Sequence, residues 1–140
     1  STFWLKWGTF EVFKFDYVSR AWERKLELQP PSKFLYYFSQ VHLPNNLGVF
    51  LLGGTDINSQ FSRRTIYFSK YQRFINKPMM TSKRGFATGV FSLHDQSVYA
   101  LGGQDEGGDL ALCERFSITQ NKWIPIAPMN QKKNGACSIM

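Results

Sequence analysis

An all-β repeat fold is predicted by three observations. Two Gly-Gly pairs, Gly53-Gly54 and Gly102-Gly103, close matching apolar runs, Val49–Leu52 and Val98–Leu101, at a spacing of 49 positions. Pro78-Met79 and Pro128-Met129 punctuate the same stretch 50 positions apart. No segment combines helix caps with a sustained 3.6-residue period. Self-similarity at a period of this size marks stacked supersecondary units, each too small to bury its own apolar face.

The elements follow in chain order. Phe10 to Phe15 alternates Phe or Val against Glu and Lys, the pattern of a half-buried strand. Trp22 follows Phe15 by seven positions, as Trp123 follows Phe116. Phe34 to His42, the turn Leu43 to Leu47 and the run from Val49 form a hairpin that the first diglycine stops. Thr65 to Phe68 and Phe74-Ile75 read as two more strands. Phe86 to Leu93, the turn His94 to Ser97 and Val98 to Leu101 repeat the hairpin, and Leu112 to Ile118 with Lys122 to Ile126 repeat the strand pair. Gly135 to Met140 aligns with Gly85 to Val90 as the start of one more copy.

Composition narrows the function classes. The 140 residues suit one domain, and 43% hydrophobic with 16% aromatic residues supply ample core material. No apolar run approaches the roughly 20 residues of a membrane-spanning helix. The first seven residues lack an initiator Met and the zones of a signal peptide, and read as a cut end. Cys113 and Cys137 make neither a disulfide framework nor a Cys-x-x-Cys site, which points to a reducing, cytoplasmic interior with both thiols packed in strands. The net charge of +7 favours acidic partners.

Apolar strand, Gly-Gly, variable loop, aromatic, Trp and Pro-Met, in that order, resembles the kelch repeat. It stands here as Val98 to Gly103, Phe116, Trp123 and Pro128-Met129, and in looser form as Val49 to Gly54, Phe68, Phe74 and Pro78-Met79. Phe74 replaces the usual Trp, and only Trp7-Gly8 stands where a diglycine would precede Phe15. The resemblance implies a kelch-type β-propeller fragment: about two full four-stranded blades, strands a to d from the channel outward, plus partial blades at each end. The blades fall at 1–33 (strands c and d only), 34–77 and 78–127, with strand a of another at 128–140. Propellers typically close with about four to eight blades, so the rest would come from the same or another chain. Glycines ending strand b allow close approach. Trp123 and Phe116 are expected to weld blade to blade, and Trp22 and Phe74 stand at the motif positions that match Trp123.

The resemblance also implies that the d–a and b–c loops share one rim, where such proteins commonly hold partners. The d–a loops carry Lys33, Lys83-Arg84 and Lys132-Lys133; Arg63-Arg64 closes one b–c loop, and Gln104 to Asp109 makes the other acidic. These cations are expected to receive carboxylates. Arg84 is foremost, because a guanidinium can grip a carboxylate bidentately. Asn134 is read as its counterpart in the next repeat. The expected function is a non-catalytic scaffold binding an acidic peptide or an acidic filament such as tubulin or actin, in the cytoplasm or on the cytoskeleton, with no cofactor and no membrane. The resemblance leaves two alternatives: the substrate-receiving arm of a ubiquitin ligase, or a metal-dependent kelch enzyme with ligands outside this chain.

Other constellations read as structure. His42 and His94, both near a–b turns of different blades, lack the three or four convergent ligands of a metal site. Asp105, Glu106 and Asp109 share a Gly-rich loop without a neighbouring His, which suits a solvated loop better than acid–base catalysis. Gly107-Gly108 lacks the Lys-Ser/Thr of a phosphate loop. The aromatics Phe34, Tyr36, Tyr37 and Phe38 are expected to pack in the core rather than stack on bases, so nucleic acid is not the expected partner.

Overall fold

The run Val49-Phe50-Leu51-Leu52 has no polar alternation, and a strand of that kind must be covered on both faces. A computed structural model of the chain, describing residues 2–5, 11–27, 36–71 and 73–135, shows how. Val49 and Leu51 pack with Leu5, Phe38, Ile66 and Phe68, while Phe50 and Leu52 pack with Met80, Val98, Ala100, Phe116 and Trp123. The middle sheet is therefore sandwiched between two others.

The first sheet consists of β1 (Thr2–Leu5), β2 (Glu11–Asp16) and β3 (Ala21–Glu27), all antiparallel, with a register shift between Val12 and Phe13. It holds three described strands where two were expected. The added strand is a four-residue run that carries no repeat landmark of its own. The middle sheet orders β4 (Ser39–His42), β5 (Gly48–Leu52), β6 (Thr65–Ser69) and β7 (Phe74–Lys77) in sequence. A single 3-10 turn, Pro44–Asn46, joins its first two strands. The last sheet runs β8 (Thr88–Ser92), β9 (Ser97–Leu101), β12 (Cys113–Ser117) and β13 (Lys122–Ile126); a two-stranded hairpin, β10 (Gln104–Asp105) with β11 (Gly108–Asp109), projects between β9 and β12. Each four-stranded sheet is thus an up-and-down antiparallel meander, as a propeller blade requires. The strand expected from Gly135 lies outside the described residues, apart from Gly135 itself, and so do Lys33, Phe34 and Cys137. Among the described residues, no helix is long and apolar enough to cross a membrane.

The diglycines are sockets for the crossover entering the next sheet. Gly53 N–H donates to Arg64 O and Gly54 N–H to Arg84 O; Gly102 and Gly103 repeat the pair with Leu112 O and Lys133 O. Gly54 and Gly103 hold φ of +102° and +99°, and a Cβ would come within 2.8 Å of Tyr36 O and 2.6 Å of Gly85 O. Only glycine combines that backbone with that proximity.

Side chains complete the inter-sheet seams. Trp123 on β13 is buried among Phe116 and its neighbours, and its indole N–H reaches Thr65 Oγ1 at 3.0 Å and Pro78 O at 2.9 Å in the middle sheet and its crossover. Phe116 lies against Phe50 with centroids 5.7 Å apart. At the other seam Phe74 packs on Phe68, while Gln40 clamps Leu5 by accepting from its N–H at 3.1 Å and donating to its carbonyl at 2.7 Å. Trp22 is 55% exposed on the outer strand of the first sheet and rests on Phe15 of its own sheet.

Candidate partner-binding rim

Loops of both kinds converge on one groove. Its volume is about 440 Å³, and its walls include Phe61, Arg63 and Arg64 from the loop between β5 and β6, Met79 and Lys83 from the crossover between β7 and β8, and Glu106 from the β10–β11 hairpin. Arg63 and Lys83 are exposed and Arg64 is half-buried, so three cations face one carboxylate. Glu106 accepts a hydrogen bond from Phe61 N at 3.3 Å. Hydrogen bonds from its own backbone N–H and from that of Phe61, together with nearby Lys83, hold its carboxyl below the usual range. The acidic hairpin thereby docks onto the neighbouring sheet's loop.

Local sequence explains the shape. Ser62 is buried, accepts from Arg64 N through Oγ at 3.0 Å, and gives its carbonyl to Arg84 N. Asp56 accepts from the N–H groups of Asn58 and Gln60, both at 2.9 Å, and shapes the loop before it. The arginines are therefore presented by a loop that is fastened on both sides.

Arg84 is not on this surface. It is fully buried, with its guanidinium donating to Gly102 O at 2.8 Å, Leu112 O at 2.9 Å and Glu114 Oε2 at 2.9 Å. Glu114 also accepts from Thr81 N, Thr81 Oγ1 and Ser82 N. The pair staples the crossover to β12, and no carboxylate from outside can reach Arg84. The expectation failed because a cation in a loop ordinarily faces water, whereas this one completes the charge of a buried Glu. Its signal was available: strand alternation puts Glu114 on the same face as the buried Phe116.

The counterpart of Arg84 is Lys133 rather than Asn134. Arg84 N donates to Ser62 O and its carbonyl accepts from Gly54; Lys133 N donates to Leu110 O and its carbonyl accepts from Gly103. Lys132 and Lys133 are exposed one repeat further along the rim and do not line the groove. Asn134 Nδ2 instead donates to Asp109 Oδ1 at 2.5 Å.

The aromatic group at 36–38 also differs from expectation. Phe38 is buried, but Tyr36 and Tyr37 are 37% and 40% exposed. Tyr37 takes a φ of +54°, which lifts its side chain out of the strand pattern, and its ring stacks on Phe86 with centroids 4.2 Å apart. His42 and His94, placed on different blades, nonetheless line a single groove of about 710 Å³ at the inner edges of β4 and β8. Burial lowers the His42 pKa. Among the described residues, no three His, Cys, Asp or Glu side chains cluster as a metal site, and Cys113 is buried in β12.

Residues 91–130 match the family model described as Kelch motif. No curated protein matches the chain. A solved structure described as "Structure of YjhT", a kelch-type propeller protein, is similar over 91% of this chain at 11% identity and a TM-score of 0.71. That likeness covers 41% of the solved chain, so the present sequence spans about two fifths of its length. With antiparallel meanders sealed face to face and diglycine sockets at a 49-residue spacing, the chain carries a kelch motif and has the fold of a kelch-type β-propeller fragment.

Proposed function

We propose that this protein is a non-catalytic interaction module that holds an acidic peptide, or the acidic surface of a filament protein such as tubulin or actin, in its rim groove. The supporting observation is the convergence of Arg63, Arg64 and Lys83 on a groove that Phe61 and Met79 also line. Guanidinium and ammonium groups recognise carboxylates, and apolar lining strengthens that recognition by lowering the local dielectric. Glu106 occupies part of the groove and pairs with the local field of Lys83, which sets where an incoming carboxylate fits. Lys132 and Lys133 extend the positive rim beyond it.

The test is fluorescence anisotropy with a labelled hexapeptide of alternating Glu and Asp and the full-length protein. Three partly exposed ion pairs, each of about 0.5 kcal/mol, predict about tenfold weaker binding in the triple variant Arg63→Ala/Arg64→Ala/Lys83→Ala. Undiminished binding by that variant would overturn the reading.

A further inference from the structure

The rim carries a second device beside the cationic groove, and it repeats with the blades. Phe86 N–H donates to Tyr37 O, and Gly135 N–H donates to Phe86 O, so Tyr37, Phe86 and Gly135 are successive steps of one backbone ladder. All three take the same left-handed conformation, with φ of +54°, +54° and +59°. The first two steps carry aromatic rings that stack at 4.2 Å and 23°. The third carries none, and among the described residues a Cβ there would meet nothing within 4 Å. One face of the half-buried Phe86 is covered by Tyr37; in a ladder of equal steps a third ring would cover the other face, and Gly135 supplies none.

This platform adjoins the groove. Tyr36 and Phe61 both bridge to Thr55, and a Cβ on Gly85 would touch Phe61 at 3.0 Å. Lys83 and Phe86 are three residues apart, so at most about 10 Å separates their backbones. A ligand of a few residues reaches from the cations to the ring.

The geometry points to an aromatic residue on the acidic ligand, stacked on Phe86 over Gly135, about three positions from the carboxylates held by Arg63, Arg64 and Lys83. This rests on the proposed acidic-ligand reading and adds the identity of one ligand side chain. A peptide fits better than a nucleic acid strand. The basic stretch is short and ends against the acidic hairpin with Asp105, Glu106 and Asp109, whereas a phosphate backbone needs a continuous positive track.

The test compares two peptides of equal charge, Asp-Glu-Asp-Gly-Ser-Trp and Asp-Glu-Asp-Gly-Ser-Leu, by titration into the full-length protein. Stacking predicts about threefold to tenfold tighter binding of the Trp peptide. Phe86→Ala removes the platform, and Gly135→Phe fills the open step with the protein's own ring. That backbone already carries Tyr and Phe at its other steps, so the second variant is expected to fold. Each variant should abolish the preference for Trp over Leu. A preference absent from the wild type, or retained by both variants, overturns the inference. Equal binding of both peptides that weakens on Arg63→Ala/Arg64→Ala/Lys83→Ala removes only the stacking step; binding of neither removes the acidic-ligand reading as well. Tighter binding of a thymidine decamer, lost in Phe86→Ala, overturns the peptide in favour of nucleic acid.

Discussion

Trp123 and Thr65 are 58 residues apart and in different sheets, yet the indole N–H of one donates to the hydroxyl of the other at 3.0 Å. The same N–H is shared with Pro78 O, which belongs to the crossover leaving the middle sheet. One buried side chain thus fixes a sheet face and a connecting loop together. Repeats of this kind draw their stability from such interfaces.

Truncating that ring is expected to be costly. Trp123→Ala should lower unfolding free energy by about 3–5 kcal/mol, and Trp123→Phe, which keeps much of the area but loses the donor, by about 1–3 kcal/mol. Thr65→Val should cost less than about 1.5 kcal/mol, because Pro78 O still accepts. Urea denaturation followed by tryptophan fluorescence orders the three variants. Equal losses in all would contradict the seam described here.

Arg84 is expected to act on stability and not on surface charge. Removing one member of a buried pair leaves the other uncompensated, so Arg84→Ala or Glu114→Ala should each cost about 3–5 kcal/mol. The double variant Arg84→Met/Glu114→Leu should recover most of that loss. Denaturation midpoints check this. A double variant no better than Arg84→Ala would show that the staple's value lies in hydrogen bonds to Gly102 and Leu112 instead.

At the diglycines, Gly54→Ala and Gly103→Ala should each destabilise by at least about 1–3 kcal/mol, since φ and the crossover carbonyl both oppose a Cβ. Gly107→Ala, on the exposed hairpin tip with φ outside the left-handed region, is the matched control and should cost less. Thermal melts separate the two classes.

His42 predicts a pH dependence. Burial lowers its folded pKa, so the unfolded chain takes up the proton first as pH falls. This contribution to stability is fully present above the ordinary histidine pKa of about 6.5 and is lost as pH drops from there toward the lowered folded value. His42→Gln should flatten the stability profile between about pH 7 and pH 5. An unchanged slope in that variant would assign the titration elsewhere.

The repeat was legible because its landmarks are backbone requirements. Glycine pairs at fixed spacing have one cheap explanation, and the apolar run at Val49 has one cheap placement, between two sheets. The rim was partly legible. Blade order puts Arg63, Arg64 and Lys83 on one side of the sheets, but nothing in the string shows that Glu106 reaches across to Phe61. Arg84 was misread because loop position suggests solvent, and its partner Glu114 lies 30 residues on, in β12. Tyr37 was misread for a backbone reason: a positive φ turned its ring outward, and residue type alone does not reveal that.

The most direct measurement is a charge swap in the groove. Calorimetric titration of the full-length protein with the Glu-Asp hexapeptide and with a Lys hexapeptide, before and after Arg63→Glu/Arg64→Glu/Lys83→Glu, reads the sign of the site. The account predicts that the acidic peptide loses affinity by at least about tenfold while the basic one gains it. Acidic-peptide binding that survives the reversal unchanged would contradict it.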